Sequence, residues 1–438
     1  MGRNRRQLGP EWVRPYWLER QIDRDARTWT MVGNLASPYA AMVDPRGLVT
    51  PWPGGWSLDW WVGADDRWHL PSRESSGRVR QQVLGGTPVV ETAMRVPGGE
   101  IAHRTYSIHG DDELVIVEVE NQSRVPVALA VAVRPYNAEG MAVIKRIALP
   151  DDTTVTVNRR TALLLPKRPA RAAMSTFDVG DSATTVLAGD APAELLTEIR
   201  DNARRAQAAF VFPLTHSTAL RFALPMAASR RASAYPKVLP TAAQVANGWN
   251  IQLQRGMRLV VPDERLQQAV DASRSTLLLL HDGMLAAVDQ SAATDKTPPT
   301  VERLDWLLDA ATSTWTWPEP VAEHGRLAAE LLALVRNMLV RESTDGPPSL
   351  ALCSVVPDRW IGQGIEVHDA PTPYGHLSYA VRWHGARPAV LWELSPHADV
   401  RDPVRLTAPG LDPAWSTTES RGDALLAPVR PEVGQSFT

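Results

Sequence analysis

The chain has 438 residues, 44% of them hydrophobic and 22% charged, with a formal charge of −3 and a sequence pI of about 6.4. That balance excludes nucleic acid and anionic membrane as expected partners, and the length allows two or three domains with a core that needs no covalent staples. A single cysteine, Cys353, excludes an intrachain disulfide.

Cys353 lies in the apolar run 350–356 and reads as a small buried hydrophobe, not an activated thiol. No uncharged apolar run reaches the roughly 18–20 residues of a membrane span. The first six residues carry three arginines and read as a solvated end, with no apolar leader stretch after them. A reducing, cytoplasmic setting is the expectation. Proline is frequent at 36 residues, which favours short strands and loops over long helices. Tryptophan (16) outnumbers phenylalanine (5) and tyrosine (7), an imbalance for which sugar stacking is one candidate reason.

From about residue 34 to 254 the pattern is β. Residues 88–96 alternate with Val90, Thr92, Met94 and Val96 on one face, Pro97-Gly98-Gly99 turns the chain, and 101–108 continues as the partner strand. Strands are expected at 114–120 and 127–133, then at 153–157, 161–165, 210–212, 219–224 and 251–261. One helix is expected at 193–208. Evenly spaced short strands of this kind argue for an N-terminal antiparallel β-sandwich, over 1–261.

Residues 262–345 read as a helical region. Asp263 caps a helix whose Leu266, Ala269, Val270, Ser273 and Leu277 share a face, and His281-Asp282-Gly283 ends it. A polar connector follows at 289–299, then helices at 301–311 and 321–340, the last with Leu327, Leu331, Leu334, Val335 and Met338 on one side. Residues 346–438 form a C-terminal β-rich segment. Strands 376–383 and 388–394 flank Gly385-Ala386-Arg387 as a hairpin, 404–407 and 424–429 follow, and the end from Pro431 is expected to be loose. The fold class is therefore mainly β with α.

Two stretches carry a resemblance. One runs from Gly33-Asn34-Leu35 through Val43-Asp44-Pro45-Arg46-Gly47 to Gly55-Trp56-Ser57-Leu58-Asp59 and Pro88-Val89-Val90-Glu91-Thr92. The other joins Gly364-Ile365-Glu366-Val367-His368-Asp369-Ala370-Pro371-Thr372, Ser378-Tyr379-Ala380-Val381-Arg382-Trp383-His384-Gly385 and Ala389-Val390-Leu391-Trp392-Glu393. Together with the 262–283 helix they resemble bacterial six-hairpin glycosidases, related in plan to glucoamylase-like and glycogen-debranching-like enzymes. The resemblance implies a β-sandwich joined to an (α/α)6 toroid and a carbohydrate ligand. A twelve-helix ring needs on the order of 220–240 residues, whereas 262–342 is far shorter. The toroid is thus expected to be truncated. The Trp-Phe-Arg-Asp type segment usual in that toroid is not found, and Pro320-Val321-Ala322-Glu323-His324-Gly325 stands where a Gly-rich acidic stretch is expected.

Glycoside hydrolysis needs two facing carboxyl groups, one of them held protonated. The catalytic candidates are Glu319, Glu366 and Asp369. The substrate-binding candidates are Trp56, Asp59, Trp60, Trp317, His368 and Trp383, each weighed against a place in the core or on a solvated strand. Asp305 beside Trp306 and Glu393 after Trp392 are further acids next to aromatics. His368, His376 and His384 are spaced unlike any compact zinc pattern. Dinucleotide, phosphate-loop and nucleophile-elbow motifs are missing, so neither metal nor cofactor is expected. The function expected is a carbohydrate-associated, catalytically degenerate protein; an active hydrolase of an α-linked glycan and an interaction protein are the alternatives. A truncated ring must cover its apolar surface, which points to a homodimer or a partner chain.

Overall fold

The computed structural model describes residues 28–35, 37–52, 54–110, 112–137, 140–226, 235–280, 298–320, 323–343 and 346–429. The basic N-terminal end, the 281–283 helix stop, most of the 289–299 connector and the end from Pro431 lie outside them. The chain divides into two compact units, Met1–Asn247 with Thr312–His324, and Gly248–Ala311 with Gly325–Thr438.

Among the described residues the first unit holds two large sheets and a two-stranded ribbon, Tyr136–Asn137 with Gly140–Met141. The eight-stranded sheet runs in the order Thr30–Gly33, Ala40–Val43, Val49–Thr50, Ser57–Gly63, Val127–Arg134, Gln207–Leu214 and Arg171–Ser175, with Trp68–His69 paired to Ser57–Gly63. The nine-stranded sheet runs Glu198–Arg200, Arg146–Ala148, Thr154–Val157, Arg160–Leu164, Ala219–Pro225, Glu113–Asn121, Gly99–His109, Val90–Val96 and Val79–Val83. Strand alternation sorts the side chains. Val127, Leu129, Val131 and Val133 join Val115, Val117, Phe222 and Leu224 of the other sheet in one shared core. The intervening Ala130 and Ala132 face the opposite way, where the short helix α1 (Ser182–Leu187) covers them with Ala183 and Val186. The far face of the nine-stranded sheet carries Tyr106, Ile116 and Ala223 under Ala242 and Ala246 of α2 (Ala242–Leu253).

Register on that far face is fixed by charge as well as packing. Glu91, Arg104, Glu118 and Arg221 are successive cross-strand neighbours. Arg104 reaches Glu91 at 2.7 Å and Glu118 at 3.0 Å, and Arg221 reaches Glu118 at 2.6 Å. A slip of one residue would oppose like charges or bury them.

In the second unit, helices α3 (Glu264–Leu279), α4 (Val301–Ala310) and α5 (Arg326–Leu339) pack on one another. Asp263 caps α3 by accepting from the Leu266 amide at 3.1 Å, and Thr300 caps α4 at the Arg303 amide at 3.2 Å. Gly325 opens α5 at φ 91°, a left-handed conformation that favours glycine, and a Cβ there would press on the Leu280 side chain. A five-stranded antiparallel sheet orders Arg258–Val260, Ile365–Thr372, Gly375–His384, Arg387–Pro396 and Arg421–Leu425. A four-stranded sheet, Val340–Glu342, Ser349–Leu352, Arg405–Ala408 and Asp412–Thr417, contains one parallel pairing.

The mainly β class with few helices is therefore what the chain adopts, and α3, α4 and the buried face of α5 fall where the periodicity puts them. Two expectations are corrected. No helix forms at 193–208: Glu198–Arg200 is a strand paired with Arg146–Ala148. The Asp201 side chain then takes the amides of Phe177, Ala203 and Arg205, which bends the chain into a turn before Gln207. The strand expected at 251–261 shrinks to Arg258–Val260, since α2 continues to Leu253 and a turn follows it.

Candidate functional site

The tryptophan-rich stretch alternates through the strand Ser57–Gly63. Trp60 points into the shared core, stacks on His103 with centroids 4.8 Å apart, and donates its indole N–H to the Arg46 carbonyl at 3.1 Å. Trp56 is also in that core, edge-on to Trp52 at 6.2 Å. Trp61 points the other way, under α1.

Asp59 is buried beside Trp61 and accepts from the Trp60 amide at 2.9 Å and the Trp61 indole at 3.0 Å. Burial raises its pKa, against the opposing pull of the Arg134 charge. Arg134 itself is completely buried. It forms a two-armed pair with Asp181, both contacts at 2.6 Å, and donates to Gln207 at 2.7 Å and the Tyr136 hydroxyl at 2.8 Å. Its guanidinium also lies over the Trp61 and Tyr136 rings. Asp181 doubles as the cap of α1. This network is sealed from solvent and tied to helix placement, which suits it to holding the sandwich and its covering helix in one arrangement.

Trp317 and Glu319 belong to the same unit. Both are buried, Glu319 with 2% of its surface exposed. The segment before them is pinned by hydroxyls: Thr30 donates to Thr314 at 2.9 Å, and Thr312, Thr314 and Thr316 bond among themselves. Trp315, in their midst, adopts φ 57°.

Glu366, His368, Asp369 and Trp383 belong to the second unit, on neighbouring strands of the five-stranded sheet. Glu366 meets His368 at 2.8 Å and is also paired with Arg382. The Arg382 hydrogen bond, then that of His368, lowers the Glu366 pKa. Just beyond, the register slips between Val367 and Ala370, and Asp369 adopts φ 54°. Bulges re-aim side chains; here Asp369 turns out to solvent and meets His376 at 2.9 Å. His376 packs edge-on to His397, 5.7 Å between centroids. Two histidine–carboxylate pairs thus stand side by side on the open face of the sheet. Trp383 is not with them: it alternates with Arg382 onto the opposite face and donates to the Gln363 carbonyl at 2.8 Å.

This face offers anionic acceptors and cationic donors. A carboxylate held ionised by an arginine is a poor proton donor and a good acceptor of hydroxyl hydrogen bonds. Among the described residues, no group of three or more His, Cys, Asp or Glu is arranged to hold a metal ion, and no helix is long and apolar enough to cross a membrane. Sequence reading did not single out Arg382 as the partner of Glu366, nor Arg134 and Asp181: strand register brings the first pair together, and the placement of α1 against the sheet brings the second. Cys353 is buried against Tyr379, with burial pushing its thiol up to about 12.

No protein-family model and no curated protein matches the chain. Among solved structures it is similar to a bacterial glucoamylase complexed with acarbose, at 9% identity and a TM-score of 0.42, over 62% of this chain and 41% of that one. It is also similar to a family GH92 α-mannosidase from Bacteroides thetaiotaomicron, at 9% identity and a TM-score of 0.36, over 61% and 40%. The chain thus spans about two fifths of the length of each.

Proposed function

We propose that this chain is a carbohydrate-binding protein built on a reduced six-hairpin glycosidase plan, and that it holds a saccharide without cleaving it. One observation carries the reading. The candidate acid Glu366 is fixed as an anion by Arg382 and His368 on an open sheet face, where hydrolysis would need a protonated carboxyl held in a dry cleft. Asp369 is likewise exposed and already paired with His376. Such groups suit sugar hydroxyls, which both donate and accept. A reducing compartment suits a chain whose single thiol is buried and unactivated.

The test is to titrate the full chain with maltohexaose by calorimetry and to assay it on 4-nitrophenyl α-glucoside. The reading expects binding that Arg382→Ala weakens, and no nitrophenolate release above background. Release that Glu366→Gln or Glu319→Gln abolishes would replace it with a working hydrolase, and no binding to any member of an α-glycan panel would remove it.

A further inference from the structure

Most described tryptophans are buried, but Trp306 of α4 has 48% of its surface exposed. Helical spacing puts Glu302, Asp305 and Asp309 on the same face as Trp306, while Leu304, Leu307 and Leu308 turn inward. The indole is held from one side. Arg303 lies over its ring at 4.1 Å, and Glu330 of α5 fixes that guanidinium through a 2.6 Å bond from Nε and a second contact from the terminal nitrogen.

The carboxylates around it are positioned too. Asp305 pairs with Arg359 at 2.8 Å, and Arg359 in turn reaches Asp263; Asp309 pairs with Arg265 at 2.9 Å. All of these residues belong to one unit. The result is a braced aromatic plane, open on one side and rimmed by oxygen acceptors and guanidinium donors.

We propose that Trp306 is a stacking platform for one pyranose unit of an oligosaccharide, resting on the carbohydrate reading above. A pyranose presents an apolar C–H face to the indole and hydroxyls to the rim. A basic peptide is the less suitable occupant. Arg303 already fills the cation position over the ring, and Asp305 and Asp309 are already neutralised by arginines.

Maltohexaose titration of the full chain, with parent, Trp306→Ala, Trp306→Phe and Arg382→Ala compared, tests this. About half of the Trp306 surface is exposed, and the far-ultraviolet spectrum and melting curve of each variant check that the fold is kept. The expected result is a loss of about tenfold in affinity for Trp306→Ala with most of it restored in Trp306→Phe, as removal of one stacking contact implies. Parent-like affinity in Trp306→Ala, with Arg382→Ala still impaired, overturns the platform and leaves saccharide binding standing. A parent that binds no α-glycan overturns both.

Discussion

Arg134 is held by Asp181, Gln207 and Tyr136 with no access to water. A buried charge with a full set of partners contributes little when the whole set is replaced, but removing one partner strands the other. Arg134→Met leaves the Asp181 carboxylate buried without its counter-charge. It should destabilise the chain by about 3–5 kcal/mol in guanidinium unfolding, and the double change with Asp181→Leu should recover much of that. His103 gives a second residue-scale expectation. Burial against Trp60 lowers its pKa from 6.5 to about 3, and burial lowers His324 to about 4. Both imidazoles are neutral when folded, so the unfolded chain takes up protons first as pH falls. Their contribution is complete above 6.5 and is lost as pH drops from there toward 3 and 4. Each costs about 1.4 kcal/mol per pH unit in that window. Denaturant midpoints at neutral and mildly acid pH should diverge, and His103→Leu should shrink the difference.

At the scale of elements, the cap of α3 offers a clean test. Asp263 accepts from the Leu266 amide and also meets Arg359, so Asp263→Ala should cost about 1 kcal/mol, read from the unfolding midpoint. That cap, and the buried faces of α3 and α5, were legible because helical period and capping chemistry are written in adjacent positions. The hairpins were legible for the same reason: Gly385 and Ala386 join two alternating strands. Residues 193–208 were not. Their alanines and leucines favour a helix locally, but cross-strand pairing at Glu198–Arg200 and the Asp201 turn override that preference. The candidate site was legible only in part. Glu366, His368 and Asp369 are close in sequence, yet what decides their chemistry is Arg382, brought alongside by register, and a bulge that no local spacing announces. Alternation could have shown that Trp383 faces away from Arg382.

For the molecule as a whole, the division into units does not follow chain order. The first unit takes back Thr312–His324 after the chain has already supplied the strand Arg258–Val260 and helices α3 and α4 to the second. Those returning residues bring buried Trp315, Trp317 and Glu319, and Thr314 bonds to Thr30 at the start of the described strands. A chain ending at Asn247 should therefore unfold at lower denaturant than the first unit does in the full chain. Trp317→Ala in the full chain should cost about 3–5 kcal/mol, as for other buried large-to-small changes. Vectorial synthesis gives this arrangement a further consequence. As the nascent polypeptide leaves the ribosome, its opening sandwich emerges first but stays unfinished, with hollows where two indoles belong. It must persist in that state until the returning stretch has been translated, so a chaperone binding at that moment would meet the early sandwich with α3 and α4 already made and α5 still to come.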